Sequence, residues 1–314
     1  MSMVGTLAII VGASTLAFAV LLSLFGGLDL IGLVMITMVF NIGQWLVAPY
    51  LIDAMYKVKE VSRSEYPHLY DVVQSISRRN GMKPPRVMLA SIPIPNAFAY
   101  GSPIAGTRVA VTNGLLNNLE MEEVEAVVGH ELGHLKHRDV QVMMFASILP
   151  AVFYFIGYSF MVSSMFGGYQ RSREQGSAGA LIGVASLVIY WVLNLFVLGL
   201  SRLREYYADQ FSVRNVGDGT RKLSEALAKI VTSTSALKKH SQWRGSVNGF
   251  KALMISDPDQ AERSALQAAK YFHRDAELVQ SILSRKVTTL DRFTELLSTH
   301  PNIVKRLQAL QGAR

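Results

Sequence analysis

The chain has 314 residues, 50% of them hydrophobic and only 17% charged, with a mean hydropathy of +0.26, too apolar for a soluble globule of this length. Its formal charge is +8, but the basic residues are spread over two segments and bunched near the ends of apolar runs. No aromatic-interleaved or Gly-rich RNA motif accompanies them, so nucleic acid is excluded as the expected partner, and the lack of cysteine excludes disulfides and thiolate metal sites and fits a reducing compartment.

Four windows contain no Asp, Glu, Lys or Arg: 1–28, 30–52, 140–170 and 175–201. About 20 helical residues at about 1.5 Å each cross a hydrocarbon core, so transmembrane helices are expected at 4–26, 30–52, 140–166 and 178–200. The first has no basic n-region and runs past "AFA" into further Leu and Phe, which reads as an anchor and not a cleaved signal. Pro150 and Gly157 in the third are tolerated in a membrane helix, where they kink it at most. Of the Lys and Arg residues, ten lie between 53 and 139, two in the 171–174 turn and nineteen between 202 and 314, with none before Lys57. Segments 53–139 and 201–314, and with them both termini, are therefore expected in the cytoplasm.

Within 53–139, "EYPHLYDVVQSISRRNGM" has helical apolar spacing and ends at the Asn80-Gly81 stop. The runs "RVMLAS", "NAFAYGS" and "TRVAVTNGLL" read as short strands of a small sheet. Asn117, with Glu120 three residues on, is the expected start of a helix over "EMEEVEAVVGHELGHLKHR", acidic at its beginning and basic at its end as the helix dipole prefers. Beyond the fourth window "LSRLREYYADQFSVRNVG" continues a helix to about Asn215 and Gly217, and periodic stretches near 220–238, 259–273, 275–297 and 302–311 make a helical tail.

The chemistry lies in "HELGH". On a helix His130 and His134 are one turn apart on one face and can reach a single metal ion, while Glu131 is offset to hold a water. With zinc, this is the arrangement peptide hydrolysis requires: an activated water, a polarised carbonyl, and a glutamate that relays the proton to the leaving amine. A catalytic zinc needs a third protein ligand. His137 does not fit the long three-histidine pattern, which wants Gly at 137 and His at 140, where this chain has His137 and Val140. The other candidate is "REYYAD", in which Glu205 can bind zinc and Asp209, one turn on, can accept the second ring N–H of a ligand histidine; its plain alternative is a solvated acidic pair beside Arg202 and Arg204. Two expected spans separate His134 from Glu205, an even number, so both residues emerge on the same membrane side.

With these residues in place, the chain resembles the membrane gluzincin peptidases of the heat-shock protease HtpX type, relatives of the prenyl-protein (CAAX) proteases. "HELGH", "EYYAD", "NAFAYG" and "STHPN" occur in order across nearly the whole chain. The resemblance implies one zinc ion held by His130, His134 and Glu205, Glu131 as general base, and Asp209 orienting a ligand. It also implies that the strand Asn96, Ala97, Phe98, Ala99 is an edge along which substrate backbone pairs. His300 resembles a His-Pro element that lies near the active site in such proteins, where it stabilises the oxyanion or guards the metal; equally, Pro301 can simply open the helix "NIVKRLQAL". His137 and Asp139 read as polar residues at the membrane surface.

The expected fold is thus mainly α, with a small β-sheet, four transmembrane helices and a cytoplasmic gluzincin-like zinc protease domain. The expected function is a zinc endopeptidase at the cytoplasmic membrane face; the resemblance, and not the spacing, implies damaged or unassembled membrane proteins as substrates, with its own chain among the candidates. A prenyl-peptide processing enzyme is the nearest alternative, although four spans make a closed chamber hard to build. An intramembrane protease would bury its motif in an apolar span, and an inactive zinc scaffold would have no need of Glu131.

Overall fold

A computed structural model of the chain describes residues 30–166, 173–239 and 275–312. The expected first span at 4–26, residues 171 and 172 of the 171–174 turn, and the periodic stretch at 259–273 lie outside the described residues. Among the described residues the fold is mainly helical with one four-stranded mixed sheet. The described parts of 45–140 and 201–314 form one compact unit, and those of 4–44 and 141–200 a second.

The chain enters through α1 (Leu30–Tyr56), β1 (Val58–Glu60) and α2 (Pro67–Arg79), then builds β2 (Arg86–Ala90), β3 (Ala97–Ser102) and β4 (Gly106–Thr112). The sheet order is β1-β2-β4-β3; β2 and β4 run parallel and the other pairs antiparallel, so among the described residues β3 pairs only with β4 and is an edge. The strand that was expected from Asn96 begins at Ala97, because Asn96 is turned into the protein: its N–H donates to the Thr112 hydroxyl and its carbonyl accepts the Thr112 N–H, each at 3.0 Å. Trp45 Nε1 donates to the Gly101 carbonyl (3.1 Å), and Tyr100 donates to Asp53 (2.6 Å), which also pairs with buried Arg108. These bonds seat the end of α1 on β3 and β4.

Two expected boundaries shift. "TRVAVTNGLL" is not one strand: Thr112 ends β4 and its hydroxyl accepts the Leu115 N–H (3.0 Å), capping a short α3 (Asn113–Asn118). The next helix, α4 (Met121–Lys136), starts at Glu120 and not at Asn117, because Glu120 and Glu123 form a reciprocal capping box, with the Glu120 N–H on the Glu123 carboxylate at 2.7 Å.

The second unit contains the first part of α1, α5 (Asp139–Ala146) from Gln141 on, α6 (Ile148–Phe166) and α7 (Arg173–Asn215) as far as Leu200, while Asp139 and Val140 belong to the first unit. Pro150, which lacks an N–H, costs the third stretch one bond of its ladder, and α5 and α6 are separated by Ser147 alone, with the Ser147 N–H on the Met143 carbonyl (3.1 Å) and the Ala151 N–H on the Ser147 carbonyl (3.3 Å). Among the described residues two helical stretches are long and apolar enough to cross a membrane, Asp139–Ser164 and Ala178–Asn215. Leu181 and Phe196 each keep 71% of their surface exposed, which suits lipid and not a buried core helix. Gly157 and Gly183 let these helices approach closely: a Cβ on Gly157 would stand 3.0 Å from the Gly183 carbonyl oxygen.

After α7 come α8 (Gly219–Lys239), α9 (Asp275–Leu283), α10 (Thr289–Leu296) and α11 (Ile303–Gly312). Val124, Val127, Val128 and Leu132 of α4 share one apolar core with Leu223, Leu227 and Ile230 of α8, Ile282 of α9 and Leu307 of α11. This core fixes α4 from behind and leaves its histidine face to the site.

Candidate metal centre

Helix α4 owes its position to two glycines that cost helix propensity. A Cβ on Gly133 would lie 3.0 Å from Ala208 Cα and 3.1 Å from Phe211 Cβ; one on Gly129 would lie 3.0 Å from the Ser212 hydroxyl. Spaced one turn apart, they admit the last turns of α7 against α4, and Ser212 donates to the Ala126 carbonyl at 2.6 Å. Glu205 and Asp209 ride on that same stretch. Gly133→Ala should therefore lower stability by about 1 kcal/mol, since overpacking costs roughly 1–3 kcal/mol against a helix-propensity gain of about 1 kcal/mol. Gly312→Ala, with nothing within 4 Å of the added carbon, should not, and thermal melts of the two variants would separate the cases.

The side chains that α4 and α7 present are almost wholly buried: His130 0%, Glu131 4%, Glu205 3% and Asp209 2% exposed. His130 Nε2 and His134 Nε2 face each other at 3.0 Å. Glu205 stands 3.6 Å from His134 Nε2 and 3.7 Å from His130 Nε2. The far nitrogen of each ring is held by a carboxylate, His130 Nδ1 by Asp209 at 2.8 Å and His134 Nδ1 by Asp139 at 2.5 Å. If each Nδ1–H donates outward, both Nε2 lone pairs point at one spot beside the Glu205 carboxylate, which Arg306 Nη1 and His300 Nδ1 approach from the other side at 3.3 Å each. Three donors around a tetrahedral zinc are separated by about 3.3 Å for bonds of about 2.0–2.1 Å, and the distances here bracket that value. Charge agrees as well. Four carboxylates (Glu131, Asp139, Glu205, Asp209) face two guanidiniums (Arg204 on Asp139 at 3.1 Å, Arg306 on Asp209 at 2.6 Å), a deficit that one divalent cation balances. The donor set therefore fits a zinc ion.

Electrostatics follow from burial. Burial pushes the Glu131 carboxyl up to about 7, with the Glu205 charge adding to the rise and His134 opposing it. His130 falls to about 4 through burial and the nearby Arg306, against the pull of Asp209. Burial also works against charge on His134, but the Asp139 hydrogen bond and the Glu205 and Glu131 carboxylates outweigh it and raise its pKa.

Glu131 joins this centre to the sheet: the Ala99 N–H donates to its Oε2 at 2.9 Å. Alternation along an antiparallel pair turns Ala97, Ala99 and Gly101 away from β4 together, so the outward edge of β3 runs beside Glu131. Phe98, by contrast, packs into the second core with Tyr56 and Tyr100. His300 reaches the same place, its Nδ1 3.3 Å from Glu205 Oε2. Helix α11 opens on Asn302, whose Oδ1 accepts the Val304 N–H at 2.9 Å, so Pro301 lies ahead of the cap and outside the first helical turn.

Two residues escaped the sequence reading. Asp139, expected only as a polar residue at the membrane surface, is 4% exposed and bound to His134. It gets there because Arg138 adopts a left-handed conformation (φ 54°) that ends α4 and turns the chain back. Arg306, 1% exposed, grips Asp209 with two bonds of 2.6 and 2.7 Å and stands 3.3 Å from Glu205. His137, the competing third ligand, instead lies near the rings of Tyr207 and Phe211, about 6 Å away.

Comparison with known proteins adds independent findings. The sequence pattern of Peptidase family M48 matches residues 63–314. Protease HtpX homolog 2 of Saccharolobus solfataricus is 36% identical over 311 residues, covering 95% of this chain and 93% of that one. Protease HtpX homolog of Aeropyrum pernix is 35% identical, covering 99% and 94%. Among solved structures, the crystal structure of S. mikatae Ste24p superposes with a TM-score of 0.57 at 17% identity, covering 98% of this chain. This chain spans only 64% of the length of that one, so the likeness concerns the fold.

Proposed function

The chain belongs to peptidase family M48 and is a metalloprotease of membranes; from that membership we propose that it is a zinc endopeptidase working at the cytoplasmic membrane face on unfolded or damaged membrane proteins, its own chain included. The observation that carries the reading is the convergence of His130, His134 and Glu205 on one point, with Glu131 bonded to an edge strand.

His130, His134 and Glu205 would hold one zinc ion per chain, which when bound polarises the scissile carbonyl and acidifies the attacking water. Glu131 takes the proton of that water and passes it to the leaving amine. Asp209 fixes the tautomer of His130, and Asp139 that of His134. A substrate strand adding to the outward edge of β3 near Ala97 and Ala99 brings its carbonyl beside Glu131, a pairing by backbone alone that suits clients of varied sequence. His300 is positioned to hold a developing negative charge near Glu205. For topology we propose spans at 4–26, 30–52, 140–166 and 178–200, with 53–139 and 201–314 cytoplasmic. That arrangement is supported by the distribution of Lys and Arg.

Purified protein should contain about one zinc per chain and digest casein. A strong chelator should abolish digestion and added zinc restore it, while His130→Ala or His134→Ala should leave the protein without metal. Digestion that survives chelation, or zinc at wild-type stoichiometry in both variants, would overturn the assignment.

A further inference from the structure

Helix α10 (Thr289–Leu296) is inside out. Its two acidic residues, Asp291 and Glu295, are buried at 7% exposure each, while Leu290 and Phe293 are 62% exposed, Leu296 52% and Leu297 45%. The buried carboxylates are satisfied: Asp291 accepts the Thr288 N–H (2.9 Å) and hydroxyl (2.8 Å), and Glu295 accepts the Asn302 N–H (3.2 Å) and pairs with Lys305. The register is therefore fixed by polar bonds on the inner face, and the apolar face is held outward. Positions 290, 293 and 297 fall on one side of a helix, with 296 at its margin. A soluble surface helix has the opposite polarity.

We propose that this face is a membrane-surface anchor, lying in the boundary between headgroups and acyl chains of the bilayer. Position argues for lipid as the occupant. Arg202 is the first charged residue after the uncharged window 175–201. Its Nη1 donates to the carbonyls of Glu295 (2.9 Å), Leu296 (3.2 Å) and Ser298 (2.8 Å). The C-terminal end of α10 is thus tied within one side chain of the place where the apolar run of α7 ends. Composition agrees: Lys286, in the segment ahead of the Thr288 cap, and Arg292, on the flank of the helix, are exposed, where they meet anionic headgroups, while leucines and a phenylalanine face the acyl boundary. Because Ser298 and His300 follow α10 directly, such an anchor would also hold the His300 segment against Glu205 at a constant depth below the membrane surface. The inference depends on the membrane character of the chain and not on the metal.

The absence of cysteine makes the test clean. Leu290→Cys, Phe293→Cys and, as a control on an exposed polar position of α9, Gln280→Cys would each carry a single environment-sensitive fluorophore. The full-length protein would be placed in nanodiscs of phosphatidylcholine and phosphatidylglycerol, with or without brominated acyl chains. All three labelled proteins should still digest casein. Brominated lipid should quench the labels at 290 and 293 several-fold more than the label at 280, and aqueous iodide should do the reverse. Iodide quenching at 290 and 293 equal to that at 280 overturns the anchor. If protection then appears only when unfolded casein is added, or only in discs holding two copies, the face serves a substrate or a second copy and the proposal fails equally.

Discussion

Replacing Glu131 by Gln should leave the metal content at the wild-type level and reduce casein digestion by roughly 10²–10⁴-fold, the usual contribution of a positioned general base. The substitution is nearly isosteric, and the amide oxygen can still accept the Ala99 N–H that the carboxylate accepts at 2.9 Å. The edge of β3 and the donor set of His130, His134 and Glu205 are therefore kept, and only the ability to take a proton is lost. A variant that retains more than about a tenth of the wild-type rate would place the base elsewhere. A second readout needs no substrate. In metal-free protein, burial moves the Glu131 pKa from 4.5 up to about 7. Between those values the unfolded chain ionises this group while the folded chain resists, so the unfolded state holds fewer protons and stability falls as pH rises through the window. Gln cannot ionise. The stability difference between variant and wild type should accordingly shift in favour of the variant from pH 4.5 to about 7, which melts of the two metal-free proteins would show.

Local signals made much of this molecule legible. The HExxH spacing fixes two imidazoles on one helical face by geometry alone, and among the described residues the charge-free windows from 30 onward fall on apolar helices. The site's outer parts were not legible, for definable reasons. Asp139 is five residues from His134, a distance that an unbroken helix would carry past the imidazole; the return depends on the left-handed Arg138, and nothing in an Arg side chain announces that conformation. Gly129 and Gly133 did carry a signal, since two glycines one turn apart inside a helix make sense where another helix must come close. The polarity of α10 was hidden as well, because periodicity reveals that a helix has two faces but not which one the protein keeps.

Arg306 was the least legible residue and should give the largest effect on stability. In the sequence it is one more basic residue of an amphipathic tail, yet α11 buries it, bidentate on Asp209 and close to both Glu205 and the His130 ring, which its Nη2 approaches at 3.2 Å. Removing one partner of a buried pair costs about 3–5 kcal/mol, because the remaining charge is stranded without water. In metal-free protein Arg306→Ala strands two carboxylates, Asp209 and Glu205, and should lower the melting temperature by on the order of 10 °C. Adding zinc should recover part of the loss, since the cation compensates Glu205 but leaves Asp209 with only its bond to His130. Arg306→Lys keeps the charge without the two-pronged geometry and should fall between. The decisive comparison is with Arg306→Ala combined with Asp209→Ala. If the effect is the stranded charge, the double variant should be more stable than Arg306→Ala alone, whereas independent packing losses would make it worse by the sum of the single effects. An Arg306→Ala protein with the wild-type melting temperature and metal affinity would show that α11 only covers the site. The expected result instead makes the C-terminal helix a structural part of the metal centre, 172 positions along the chain from His134.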